Sequence, residues 1–270
     1  MSLAANLRRL VSAIALCALA LTARAETAPT VGKLETGAPT SAIFIGNSFF
    51  YYNNGITTHM RELVAAAEGR GQLRMTMVTI SGSGIDWHDV DSYFRPDAIG
   101  RYSFTRSNEI VFNRPNKLFD VAVVMDCSLC PIHPKLKDTF KTFAKKQSDS
   151  LRRHGAEPVF FMSWAYADKP EMTAQLAEAY TQAGNEHRAL VIPVGLAFAR
   201  AIAKRPELVL HAADKRHPSL AGSYLAALST YAALFKKSPE GLKYTAGLDE
   251  ATAKFLQTIA WETEQAYHAQ

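Results

Sequence analysis

Long hydrophobic runs are missing from this chain of 270 residues. The apolar stretch at residues 10–21 falls short of the roughly 20 residues that a membrane-spanning helix needs. A concentration of charge of one sign is missing as well. Lys and Arg number 30 against 25 Asp and Glu, a net charge of +5, and Arg8, Arg9 and Arg24 supply three of those cations from a first stretch that holds no acid. The chain beyond residue 25 is therefore close to balance, which argues against a nucleic-acid partner, since that demands a dense basic face. The richest basic segment, 135–146, carries Leu136, Phe140, Phe143 and Ala144 at helical spacing, so its lysines read as the wet side of an amphipathic helix. Cysteine is scarce: Cys17, Cys127 and Cys130 are the whole set. With only His133 nearby, the C-x-x-C pair makes a poor zinc site. Internal repeats and Pro/Gly-rich linkers beyond residue 40 are absent too, so one α/β domain is expected.

The amino terminus has the parts of an export signal. Arg8 and Arg9 precede the apolar run, and Ala23-Arg24-Ala25 supplies small residues for cleavage after Ala25. This predicts a periplasmic or secreted protein with no stable membrane insertion once the signal, residues 1–25, is removed. Residues 26–40 are poor in large apolar side chains and read as a loose leader. The folded domain is expected over 41–270.

Five short segments, 42–45, 75–80, 119–125, 158–162 and 189–192, are rich in β-branched and aromatic residues without clean alternation. That pattern suits parallel strands covered on both faces. Apolar stripes at helical spacing start at Ile56, Leu136, Met172 and Leu220, with Ser219 a natural N-cap for the last, and a further helix is expected over 249–268. Strands alternating with helices predict a three-layer α/β/α sandwich with a mostly parallel five-stranded sheet, whose ligand site lies beyond the carboxyl ends of the strands. The stretch 86–118 shows no clear period, and loops of that length are usually functional or disordered.

Three places carry candidate chemistry. Ser48 follows the first strand through Gly46-Asn47, where a hydroxyl stands at the sheet's carboxyl edge, although Gly-Asn-Ser is also an ordinary turn. Gly82, in Ser81-Gly82-Ser83-Gly84 after the second strand, allows a backbone N–H to point into the cleft toward an oxyanion. Asp214 and His217 stand three apart before a helix. The carboxylate can orient the imidazole, and the imidazole can take a proton from a serine.

These blocks together resemble the SGNH, or GDSL-like, hydrolases. Ile43-Phe44-Ile45-Gly46-Asn47-Ser48 is similar to that family's first block, with Asn47 where an aspartate is usual. Thr79-Ile80-Ser81-Gly82 resembles the second, and Asp214-Lys215-Arg216-His217 the last. The resemblance implies a flavodoxin-like fold and a serine esterase with Ser48, His217 and Asp214 as triad and Gly82 as an oxyanion donor. It implies no cofactor and no metal, and a small-molecule or glycan ester as the substrate partner. One departure stands out: the segment after the third strand, Met125-Asp126-Cys127-Ser128, lacks the family's asparagine and leaves the third oxyanion donor unassigned. That gap keeps open an SGNH-like acyltransferase or a non-hydrolytic carbohydrate-binding relative. Cys127 and Cys130 fit a structural disulfide in an exported protein and leave open a periplasmic thiol oxidoreductase. Phe49, Phe50, Tyr51, Tyr52, Trp87 and His88 surround these loops, and about half of them are expected to be packing.

Overall fold

Short β-branched runs bury more apolar surface side by side than apart, and here they pair into a single parallel sheet. A computed structural model describes residues 27–95, 97–99, 102–112 and 117–269. The predicted export signal, 1–25, lies outside the described residues. Five strands, β1 (Ser41–Gly46), β2 (Arg74–Thr79), β5 (Val121–Val124), β6 (Glu157–Phe161) and β7 (Leu190–Ile192), form the sheet in the order β2-β1-β5-β6-β7. Every neighbouring pair is parallel. Two further strands, β3 (Tyr102–Phe104) and β4 (Ile110–Phe112), make a separate antiparallel hairpin.

Successive strand residues point to opposite faces and so feed two cores. Phe44, Val123, Phe161 and Ile192 join one cluster. Ile43, Ile45, Val124, Phe160 and Val191 join the other. Helices α2 (Ile56–Ala67), α6 (Val194–Lys204), α7 (Leu220–Phe235) and α8 (Glu250–His268) cover the first face. Helices α4 (Lys137–Arg153) and α5 (Met172–Glu186) cover the second. The expected three-layer sandwich is the architecture observed. The Ser219 hydroxyl caps α7 by accepting from the Gly222 N–H (3.2 Å), and Asp249 caps α8 through the Thr252 N–H (2.9 Å). Among the described residues no helix is long and apolar enough to cross a membrane.

The structure departs from the sequence reading in four places. The strand expected over 75–80 is an edge, so Met75–Thr79 is half-buried rather than covered on both sides. Helix α6 was not anticipated, although Val194, Ala197, Phe198 and Ala201 are its buried stripe. The aperiodic stretch contains a single turn of 3-10 helix (Ile85–Trp87), the one-turn α3 (Val90–Tyr93) and the hairpin. Finally, the described part of the leader is tied down. Thr27 and Thr30 bond to Glu178 and Asn185 of α5, the Glu35 and Thr36 N–H groups donate to Glu157, and Thr40 donates to Asp120. Leu34 is buried in the first core.

Phe161 sits at the centre of that core, fully buried and edge-on to Phe50 at 5.0 Å. Phe161→Ala is expected to cost about 3–5 kcal/mol of unfolding free energy in urea titration, because the space cannot close. A loss below about 1 kcal/mol would contradict this layering.

Candidate active site

The register brings the carboxyl ends of β2, β1 and β5 to one edge: Ile45 lies level with Val78 on one side and Val124 on the other. Each strand leaves that edge through a loop the sequence had singled out. After β1 the chain turns at Asn47 into a one-turn helix, α1 (Ser48–Tyr51). Gly46 does not have a positive φ, so it is not there for turn geometry. Its reason is space: a Cβ there would stand 2.5 Å from Met125 Cγ. Gly82, by contrast, has φ +71° and open space where a Cβ would be.

Asn47 fastens the three loops together. Its side-chain oxygen accepts from the Phe49 N–H (3.2 Å) and so caps α1. Its amide nitrogen donates to the Ser83 carbonyl (3.0 Å) and to the Asp126 carbonyl (3.2 Å). An aspartate, which donates nothing when ionised, cannot make those last two bonds. Tyr51 and Ser81 share a hydroxyl bond of 2.9 Å, so Gly82 is held between two tethers to α1. Ser48 occupies the first helical position, where its N–H has no intrahelical acceptor.

The late loop meets this edge. Ser48 Oγ lies 2.8 Å from His217 Nε2, and His217 Nδ1 bonds to Asp214 Oδ2. With Nδ1–H donating to a carboxylate, Nε2 is the acceptor of the Ser48 hydroxyl. Asp214 also accepts from the Arg216 and His217 N–H groups, both at 3.0 Å. The His217 contact first, with that of Arg216 next, holds the Asp214 carboxyl down to about 2, so it is ionised at neutral pH. Tyr52 stacks on the imidazole at 4.1 Å, and Phe49 meets it edge-on at 5.4 Å. The loop itself is braced by Trp164 Nε1–H to the Arg216 carbonyl (2.9 Å) and by Asn53 to the Pro218 carbonyl (2.9 Å). Ser48, His217 and Asp214 thus form one hydrogen-bonded line, and Gly82 lies on the adjoining loop.

Sequence reasoning assigned no task to Asn47, Asn53, Trp164 or Asp126. Their signal is tertiary: each acts by reaching a backbone group far along the chain. Among the flanking aromatics, Phe49, Phe50 and His88 are buried, whereas Tyr51 and Trp87 are exposed. Cys127 and Cys130 form a disulfide. The bridge precedes only a three-residue turn of 3-10 helix (Cys130–Ile132), not the longer helix that opens behind a thioredoxin-type pair. Both sulfurs are engaged, so neither is a thiolate ligand for zinc.

Comparison with known proteins gives the same fold. A DUF4886 family protein from Bacteroides uniformis superposes with a TM-score of 0.57 at 21% identity, covering 83% of this chain and 93% of that one. A candidate SGNH hydrolase from Slackia heliotrinireducens gives 0.52 at 22%, covering 72% and 98%. An acetylxylan esterase from Geobacillus stearothermophilus gives 0.52 at 16%, covering 74% and 96%. The chain therefore has the fold of the SGNH hydrolases. No family model and no curated protein matches it by sequence.

Asp126, at the end of β5, is almost fully buried. Burial raises its pKa to about 6, against the pull of the Ile85 and Cys127 N–H groups it accepts from, and nearby Asp86 pushes the same way. A carboxyl raised in the folded state contributes stability that is complete below its unfolded value, near 3.8, and is lost as pH climbs through about 6. Asp126→Asn carries no such charge. Urea titrations of both proteins from pH 4 to 7 are expected to show the native protein losing about 2 kcal/mol relative to the variant. Parallel curves would contradict the assignment.

Proposed function

We propose that this chain is an exported serine esterase acting on carboxylic esters, with residues 41–270 as its hydrolase domain. The observation that carries the reading is the unbroken hydrogen-bonded line from Ser48 through His217 to Asp214 at the carboxyl edge of the sheet. A serine hydroxyl is a weak nucleophile until a base takes its proton during attack, and Nε2 of His217 is in position with its lone pair free to do so. Ser48 Oγ attacks the ester carbonyl while His217 accepts the proton. Ionised Asp214 keeps the tautomer and steadies the imidazolium. The N–H groups of Ser48 and Gly82 receive the oxyanion, each such donor being worth roughly 3–4 kcal/mol. His217 then protonates the leaving alcohol, and water, deprotonated by the same imidazole, releases the acid and restores Ser48.

Acetyl esters of carbohydrates are the proposed substrates. Exposed Tyr51 and half-buried Tyr52, three and four residues after Ser48, offer rings on which a sugar can stack beside the nucleophile. The similarity in fold to an acetylxylan esterase points the same way. Export rests on the signal-like first 25 residues.

Hydrolysis of acetylated sugars and of longer-chain acyl esters tests the reading. Ser48→Ala is expected to lose on the order of 10⁴-fold or more in kcat with its fold intact, and acetyl esters are expected to be preferred. Cys127→Ser is expected to keep turnover. A Ser48→Ala protein that hydrolyses at the native rate, or a Cys127→Ser protein that alone loses activity, would overturn it.

A further inference from the structure

The strap that braces the catalytic loop also walls a cavity. Trp164 bonds to the Arg216 carbonyl, the Ala167 N–H donates to the Lys215 carbonyl (2.9 Å), and His211 Nε2–H donates to the Ala165 carbonyl (2.9 Å). Behind residues 165–167, against α5 and α6, lies a cavity of about 250 Å³. Tyr166, Pro170, Phe198 and Ile202 make its lining apolar. Two polar side chains interrupt that surface, Thr173 and His211, each more than nine-tenths buried. Because His211 spends Nε2–H on Ala165, its Nδ1 is an acceptor. Neither Nδ1 nor the Thr173 hydroxyl has a hydrogen-bond partner among the described residues.

Burial drives the pKa of His211 down, more strongly than the Ala165 bond or the charges of Asp214 and Asp168 raise it, so the ring is neutral at pH 7. A neutral acceptor in an apolar surround favours an uncharged donor, and a carboxylate entering there would be left unpaired. Size narrows the choice further. An apolar cavity of about 150 Å³ holds benzene, so this larger one has room for a single ring with a substituent.

We propose that this cavity is a second binding site, for a small neutral hydroxyl compound of the phenol class. The hydroxyl donates to His211 Nδ1, and the apolar body lies against Phe198 and Ile202. The site does not depend on the esterase reading. A consequence for catalysis does, and it arises from the packing between the two histidines. His211 meets Phe198 edge-on at 5.7 Å, Phe198 stacks on Trp164 at 4.3 Å, Trp164 stacks on Phe49 at 4.5 Å, and Phe49 meets His217 at 5.4 Å. A ligand pressing on Phe198 therefore loads a continuous line of rings ending at the catalytic imidazole.

Calorimetric titration of the intact protein with phenol tests the site. Saturable one-site binding is expected, with toluene, which has no hydroxyl, binding about 2–10-fold more weakly. Ala199→Phe, which fills the cavity from α6, is expected to abolish binding of both. No saturable binding by the native protein, or binding that survives Ala199→Phe, would overturn the site. Equal affinity for toluene would overturn the task given to His211. The coupling is read separately, as a change in triacetin hydrolysis at saturating phenol that Ala199→Phe removes. An unchanged rate, or a change that persists in the variant, would overturn the coupling and leave both the binding result and the esterase reading standing on their own tests.

Discussion

The bond between Ser48 Oγ and His217 Nε2 joins residues 169 apart in the chain, and the site depends on it. Neither residue can find the other locally. One stands on a helical turn straight after the second strand in the sheet's order. The other stands on a loop that leaves α6 and is held by Trp164, at the end of β6, two strands away. Parallel strands make the meeting possible because all their carboxyl ends fall on one edge, so loops distant in sequence share one rim. A one-residue slip of β1 against β5 would turn Ile45 from one core to the other and carry Ser48 away with it.

Polar, buried groups keep the rim in register. Asn47 ties the first loop to the second and third, and Asp126 ties the third back to Ile85, so three loops are knotted through two side chains. Such groups are expensive to bury unless each partner is present, which makes the arrangement intolerant of change. Asn47 suits this knot because its amide gives two protons to carbonyls. Asp126, with no cation in salt-bridge reach among the described residues, meets its burial cost by holding a proton up to about pH 6. The aromatic groups act differently: Tyr52 and Phe49 fix the plane of His217 by contact, and Trp164 supports both the ring and the loop.

Much of this fold was legible in the residues. Parallel strands leave a local signature, because burial on both faces demands unbroken runs such as Ile43–Ile45 and Val121–Val124. The stripes of α2, α4, α5 and α7 were equally plain, and three short blocks in order brought Ser48, Gly82, Asp214 and His217 forward. Hidden features were those created only when distant segments touch. The edge position of β2 depends on which strand lacks a second neighbour, and nothing in Met75–Thr79 announces that. The purpose of Gly46 is the approach of Met125. Helix α6 was missed although its stripe has helical spacing, because it follows β7 with only Pro193 between them and no turn marks its start. The hairpin within 86–118 exposes Phe104 and Ile110, so no amphipathic rhythm marked it.

Reaction with a fluorophosphonate, followed by peptide mapping, tests the central claim most directly, since that reagent bonds only to a serine activated by its neighbours. Rapid stoichiometric labelling of Ser48, slowed by orders of magnitude in His217→Gln, is the result this account predicts. Labelling elsewhere, or equal labelling of Ser48 in both proteins, would contradict it.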